Sequence, residues 1–284
     1  MEEKTILVTG AGGFVGARIM ARQPKAIACP GELLRRADKA QILSFARKVQ
    51  PSVILHTAAI SDIGTCERHP DDSYRANVLL TEALAIAAKE TGAKLVAFSS
   101  DQVYTGCTEE GPYREAEDLP EPANVYARHK LEAEKRTLDL LPDAVMLRAT
   151  WMYDMPMYGH ANRGNFLRNV LVAARTGGQI PCVREQRRGI TYVRQVAELL
   201  DRATALPGGA YNFGSENELT MPQTAEALLD ALGIAHRKAE LIAVLDESRH
   251  NLWMDCGKIQ SHGICFDTTA EGFRRCVADY ALRG

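Results

Sequence analysis

Residues 9–16 read Thr-Gly-Ala-Gly-Gly-Phe-Val-Gly. This puts glycines at 10, 13 and 16 directly after a short β-rich run, Thr5–Thr9, and at the opening of a helical pattern from Phe14 to Gln23. Each glycine has a separate physical use. Gly10 permits a tight strand-to-helix turn, Gly13 lets the backbone approach a ligand, and Gly16 lets the helix pack closely on a sheet. Gly12, Phe14 and Val15 complete the turn, and unpaired N–H groups at the helix start then face an anion. The spacing alone is a weak signal. Its position at the first strand–helix junction makes it a seat for the diphosphate of a dinucleotide.

The chain keeps this rhythm to about residue 150. Ala26–Cys29 is a weak second strand. Asp38 caps a helix over Lys39–Val49, whose Ile42, Leu43, Ala46 and Val49 share one face. Pro51 opens the strand Val53–His56. A long helix, Asp72–Thr91, ends at Gly92; Leu95–Ser99 is a strand, Tyr126–Leu140 a helix and Ala144–Ala149 a strand. Strands alternating with helices imply right-handed βαβ units and a parallel sheet covered on both faces. After Thr150 the pattern changes. Pro156–Gly164 reads as a loop, Asn165–Arg175 as a helix ended by Gly177-Gly178, and Thr191–Ala205 as a helix after a short turn. Ala210–Phe213 reads as a strand, Pro222–Leu232 as a helix, and Ala270–Leu282 as the last helix, with Asp255 a cap at the start of the tail.

With 284 residues, 46% of them hydrophobic, the chain can bury a sizeable core. Lys and Arg number 34 against 36 Asp and Glu, so the basic excess of a nucleic-acid binder is missing. The start, Met-Glu-Glu-Lys, precedes an apolar run of only three residues, Ile6 to Val8, and nothing approaches the ~20 apolar residues that span a bilayer. The expectation is a cytoplasmic protein with no membrane or nucleic-acid partner. The seven cysteines lack CxxC spacing and the seven histidines form no HExxH, so no metal site is expected.

Tyr126 and Lys130 stand at i and i+4, on one helix face. Such a pair arises easily by chance. It gains weight from Ser99-Ser100, which end a strand at the sheet edge where the glycine turn opens and where ligands bind in open α/β sheets. Reduction of a ketone needs a hydride from a nicotinamide and a proton for the oxygen. A phenol of pKa about 10 holds its proton too tightly near neutrality. An adjacent ammonium favours the phenolate; a lowering of about 3 units corresponds to about 4 kcal/mol. Lys130 and the cationic ring of the oxidised cofactor are expected to supply that field, and Ser100 to hydrogen-bond the carbonyl oxygen. An acid that would bind the ribose of NAD is expected about 20 residues beyond the turn. Glu32 is there, beyond Pro30-Gly31, but Arg35 and Arg36, and Arg18, could instead meet a 2′-phosphate. The cofactor expected is NADP, with NAD as the alternative.

These residues resemble the extended short-chain dehydrogenase/reductases and, within them, are most similar to the dTDP-4-dehydrorhamnose reductases. The carriers are the turn at 9–16, His56-Thr57-Ala58-Ala59, Ser99-Ser100-Asp101-Gln102-Val103-Tyr104, Asn124-Val125-Tyr126-Ala127-Arg128-His129-Lys130 after Pro122, Leu147-Arg148-Ala149-Thr150-Trp151-Met152-Tyr153, Asn165-Phe166 and Tyr211-Asn212-Phe213-Gly214. The resemblance covers nearly the whole chain. It implies a Rossmann domain over 1–150, completed by about 186–215, and a smaller substrate lobe from 151–185 and 216–284. It implies an NAD(P)H-dependent reductase of a nucleotide-linked 4-keto-6-deoxysugar, in a family where homodimers are common. Ser100, Tyr126 and Lys130 match the catalytic triad, and Asn77 matches a helix asparagine that supports a proton relay. Ala58, Ala59 and Ser99 would line the cofactor. Asp101 and Gln102 would line the sugar pocket, Trp151 would pack on the deoxysugar, and Asn165, Arg187 and Arg188 would lie near the substrate diphosphate.

Two departures concern the substrate. Gln102 stands where the family commonly has an aromatic residue. The pattern Gln-x-Gly-x-Pro-Thr appears only as Gln186-Arg187-Arg188-Gly189-Ile190-Thr191. Two other activities fit the same resemblance. One is an epimerase or dehydratase that recycles its cofactor, although dehydratases carry Asp-Glu after the catalytic Ser/Thr and Gln102 is a neutral amide, unable to take the proton. The other is a cofactor-binding regulatory subunit without turnover, the part a relative plays beside methionine adenosyltransferase.

Overall fold

The computed structural model describes residues 4–116, 119–155, 164–247 and 251–281. Six strands form one parallel sheet: β1 (Ile6–Thr9), β2 (Ile27–Ala28), β3 (Val53–His56), β4 (Lys94–Ser100), β5 (Val145–Ala149) and β9 (Gly209–Phe213), in the order β2-β1-β3-β4-β5-β9. The winding reverses between β1 and β3, so a crevice opens at their carboxyl ends. Only β2 lies beyond β1, because residues 29–50 turn at once into two helices, α2 (Gly31–Arg36) and α3 (Lys39–Val49). Strands β3 and β5 are buried along their whole length, as expected of strands covered on both faces.

One face is covered by α1 (Phe14–Arg22) and α9 (Val193–Ala203), whose Ile19, Val193, Val196 and Leu200 pack on Val8, Leu55, Val96 and Leu147. The other carries α3, α6 (Leu80–Thr91) and α7 (Val125–Leu140); there Ile42, Ala46, Leu80, Leu84 and Ala88 pack on Leu7, Ile54, Leu95 and Met146. The long helix expected over 72–91 begins earlier, as α4 (Ile63–Arg68) and α5 (Pro70–Tyr74), and a π turn, Arg75–Leu79, interrupts it before α6.

A second core lies past residue 150. It is built from β6 (Trp151–Tyr153), α8 (Phe166–Thr176), β7 (Ile180–Val183), β8 (Ile190–Tyr192), α10 (Met221–Ala231), α11 (Lys238–Leu241), β10 (Ile242–Leu245) and α13 (Thr269–Tyr280). Its interior is Tyr153, Phe166, Leu167, Val170, Tyr192, Leu228 and Phe273, separate from the sheet core, whereas the short α12 (Gly257–Gln260) packs its Ile259 with the sheet.

The helix expected over 191–205 starts only at Val193. Ile190, Thr191 and Tyr192 are fully buried and pair in parallel with β6, as a β-branched and aromatic triplet favours. Strands β7 and β10, absent from the sequence reading, pair in parallel with each other. Asp255 accepts the Gly257 N–H at 2.7 Å, whereas the last helix is capped by Thr268, boxed with Glu271. That helix ends at Tyr280, and Leu282 lies outside the described residues, as do residues 156–163 of the loop read over Pro156–Gly164. No helix among the described residues is long and apolar enough to cross a membrane.

Candidate active site

Gly10 sits at φ +70°, a left-handed conformation that suits glycine. A Cβ there would lie 2.8 Å from the Ala58 nitrogen, so the turn is pressed against the segment that leaves β3. The Thr9 hydroxyl accepts from the N–H groups of Thr57 (3.2 Å) and Ala58 (3.4 Å), which fixes Ala58 and Ala59 beside the turn. The Gly13 N–H closes the turn on the Gly10 carbonyl at 2.8 Å. Gly13 is also the N-cap of α1, and no side chain caps that helix start. At Gly12 a Cβ would meet nothing within 4 Å. An open cradle of uncapped N–H groups fits a diphosphate.

At the same sheet edge, β4 delivers Ser100, and a 3₁₀ segment, Asp101–Gly106, follows it at once. The Asn124 side chain caps α7 by accepting the Ala127 N–H at 2.9 Å. This sets Tyr126 and Lys130 one turn apart on the buried face. The Tyr126 phenol stands beside Ser100, whose hydroxyl donates to Asp101 Oδ1 at 3.1 Å and accepts the Gln102 N–H at 3.2 Å.

Lys130 departs from expectation. Its ammonium donates to the Phe98 carbonyl at 2.7 Å and lies 6.0 Å from the Tyr126 ring centroid. Burial pushes it down to about 8, while the Glu134 carboxylate acts to raise it. The expected lowering of the phenol is not found. Burial foremost, and then the Asp101 carboxylate, hold Tyr126 above its ordinary value of 10, against the lowering influence of the Ser100 hydroxyl and the Arg188 charge. The site as it stands keeps the phenol protonated.

Asn77 lies in the π turn, fully buried. Its Nδ2 donates to the Ile60 carbonyl (2.9 Å) and the Ser73 hydroxyl (3.1 Å), and its Oδ1 is left without a protein partner. A buried, unsatisfied acceptor calls for a small polar ligand or a water.

Asp101, 1% exposed, is held bidentately by Arg188: Nε to Oδ2 at 2.8 Å and Nη2 to Oδ1 at 3.1 Å. The Arg188 guanidinium lies 5.3 Å over the Trp151 ring, and Trp151 packs edge-on against Phe166 at 5.8 Å. Arg188 therefore faces the reacting groups, and is tied to a carboxylate that a free diphosphate would have to displace. The Gln102 amide accepts from Asn124 Nδ2 at 3.2 Å.

Other candidates are engaged elsewhere. The Arg187 guanidinium lies 5.6 Å over the Trp253 ring and donates to the Glu218 carbonyl. Both polar atoms of Asn165 are spent, Oδ1 capping α8 through the Arg168 N–H and Nδ2 on the Asp154 carbonyl. The Ser99 hydroxyl donates to Glu134, away from the crevice. Arg18 is buried in an ion pair with Asp154 at 2.6 Å and cannot reach a 2′-phosphate. Arg35 is exposed on α2, beyond the end of β2, and Glu32 is exposed in the first turn of that helix.

The sequence reading missed His56 and the Glu134–Arg148 pair. His56 is fully buried between the Thr9 (2.7 Å) and Thr81 (3.0 Å) hydroxyls. Burial, and then the Lys130 charge, push it down to about 3, so the ring is neutral. Its position at the end of an apolar strand is its sequence signal, as is that of Arg148 within Val145–Ala149.

A parallel sheet with a glycine turn at its switch point, and a serine and a Tyr–Lys pair at the same edge, define an extended short-chain dehydrogenase/reductase. Residues 4–251 match the family described as the RmlD substrate binding domain, and the chain belongs to that family. It is 28% identical to the dTDP-4-dehydrorhamnose reductase of Aggregatibacter actinomycetemcomitans, over 79% of this chain and 78% of that one. It is equally 28% identical to the methionine adenosyltransferase 2 subunit beta of Xenopus laevis, over 91% of this chain and 82% of that one. Among solved structures, the dTDP-4-dehydrorhamnose reductase of Bacillus anthracis in complex with NADP superposes with a TM-score of 0.84 at 20% identity, covering 98% of this chain and 99% of that one.

Proposed function

We propose that this chain is an NAD(P)H-dependent reductase of a nucleotide-linked 4-keto-6-deoxysugar, similar to dTDP-4-dehydrorhamnose reductase. Residues 1–150, with 186–215, make the dinucleotide-binding domain, and 151–185 with 216–284 the substrate lobe. The observation that carries the reading is the juxtaposition of Tyr126 and Ser100 at the carboxyl end of β4, at the same sheet edge as an uncapped glycine turn.

The turn at Gly10–Gly16 would hold the cofactor diphosphate, with Ala58 and Ala59 beside it, and Arg35 would meet the 2′-phosphate of NADP. When bound, the nicotinamide supplies the hydride. Tyr126, kept protonated by burial and by Asp101, then has a proton to give to the alkoxide that forms. Ser100 exchanges its bond to Asp101 for one to the carbonyl oxygen and orients it. Asn77 Oδ1, which has no protein partner, would accept from a water that returns a proton towards Lys130 and Tyr126. Trp151 gives the sugar an apolar wall, and Asp101 and Gln102 its polar edge.

The test is a panel of nucleotide-linked ketosugars, dTDP-4-dehydrorhamnose first, followed at 340 nm with NADH and with NADPH. The reading expects oxidation of one cofactor with one ketosugar, and fails if neither is oxidised with any. The likeness to a methionine adenosyltransferase subunit supports a second reading, a non-catalytic partner subunit. A stoichiometric complex captured from the native cell, together with an inert panel, would favour it.

A further inference from the structure

Tyr126, Lys130 and Glu134 stand at i, i+4 and i+8 of α7, all on its buried face. Glu134 is 1% exposed and Arg148, on β5, 2%. Arg148 Nε meets Oε1 and Oε2 of Glu134 at 3.2 and 3.0 Å, and Nη2 meets Oε2 at 2.8 Å. Ser99 donates to the same carboxylate from β4. Arg148 Nη1 then donates to the Tyr104 hydroxyl at 3.0 Å, and Tyr104 belongs to the 3₁₀ segment that carries Asp101 and Gln102. Tyr104 donates in turn to Asn212 Oδ1 of β9 at 2.7 Å. One carboxylate therefore joins the helix bearing Tyr126 and Lys130 to the strand and turn bearing Ser100.

We infer that Glu134, held by Arg148, is the positioning residue of this site: it locks α7 onto β4 and β5, so that Tyr126 meets Ser100, and it sets the charge environment of Lys130. A buried ion pair is a poor device for stability alone, because two well-packed apolar residues do as well or better. Its value here is geometric and electrostatic. The groups that act on Lys130 are Glu134 from its own helix and the Cys66 thiol from α4. His56 of β3 faces it in the neutral form, and the Phe98 carbonyl of β4 accepts a hydrogen bond from it. Glu134 is the only carboxylate in that set. Burial presses Lys130 towards the neutral amine, and Glu134 opposes it.

The inference rests on Tyr126 and Lys130 being the working pair of the proposed reductase, but its test does not need turnover. The full chain is labelled with ¹³C at lysine Cε and titrated by NMR, with Lys130→Met identifying the resonance. Lys130 should titrate near 8. In Glu134→Gln its midpoint should fall by about one unit, the size expected for losing one nearby opposite charge. Because Glu134→Gln strands Arg148 as a buried lone charge, Glu134→Gln/Arg148→Met, which buries none, is measured beside it. Arg148 is not among the charges that act on Lys130, so the double variant should titrate low as well. Ser99→Ala should leave the midpoint in place. An unchanged midpoint in whichever of the two Glu134 variants folds overturns the inference. With an active ketosugar, Glu134→Gln should also lower kcat tenfold or more with little change in KM. If the ketosugar panel is inert, the proposed reductase fails, while the titration still decides the role of Glu134.

Discussion

The glycine turn allows stability and ligand binding to be separated by two neighbouring substitutions. A Cβ at Gly16 would lie 2.1 Å from the Gly10 carbonyl oxygen and 2.9 Å from Ala11 Cα. Ordinary contact is about 3.5–4 Å, so the turn and α1 must part by more than about 1 Å. The obstacle is backbone, which cannot swing aside as a side chain can. That places Gly16→Ala at the upper end of overpacking costs, about 3 kcal/mol. Alanine recovers about 1 kcal/mol of helix propensity, leaving a net loss of about 2 kcal/mol. For a chain of this size the melting temperature should fall by about 4–6 °C. Gly12→Ala meets nothing within 4 Å, so its melting temperature should match the parent. That methyl would nevertheless stand where the diphosphate is proposed to lie, and NADPH affinity should fall at least tenfold, about 1.4 kcal/mol. The assays are thermal unfolding by circular dichroism and titration of NADPH fluorescence. A Gly16→Ala protein that melts like the parent refutes the packing argument. A Gly12→Ala protein that binds NADPH like the parent refutes the seat.

Three further outcomes are expected. Arg188→Met leaves Asp101 buried without its partner; since Arg188 is 21% exposed, the loss should be about 2–3 kcal/mol, below the 3–5 of a fully buried pair. Adding Asp101→Asn should restore most of it in urea unfolding, and a double variant no better than the single one would contradict the pairing. His56 titrates near 3 in the folded chain against 6.5 unfolded, so the unfolded state binds the extra proton between those values. Its contribution is complete above pH 6.5 and is lost as the pH falls towards 3, by about 1.4 kcal/mol per unit; His56→Gln should remove that slope from the pH dependence of unfolding. Arg35→Ala should weaken NADPH about tenfold and leave NADH unchanged in a binding titration; equal effects on both would remove Arg35 from the 2′-phosphate.

Much of this architecture was legible because its signals are local. The glycine turn, the Asp38 cap and the apolar strands β3 and β5 follow from residue type and spacing. The misplacements have physical reasons. Ser99 and Ser100 were both assigned to the crevice, yet neighbours on a strand point to opposite faces, and Ser99 meets Glu134 instead. Arg187 and Arg188 diverge in the same way, one over Trp253 and the other over Trp151. Asn165 precedes a helix, and its side chain went to the cap rather than to a ligand. The charge partners of Asp101 and Glu134 lie 87 and 14 residues away, and such pairings become visible only when the fold brings them together. The raised Tyr126 phenol belongs to the same class, because burial is a property of the packed crevice and not of the Tyr–Lys spacing.

The most direct measurement of the central claim compares the parent chain with Tyr126→Phe, at saturating NADPH and the ketosugar that the panel selects. Phenylalanine keeps the ring and removes only the hydroxyl that meets Ser100. NADPH should bind to both proteins alike, while its oxidation falls by about 10²–10⁴-fold in the variant, the range for loss of a positioned proton donor. Oxidation at the parent rate in Tyr126→Phe would contradict the account.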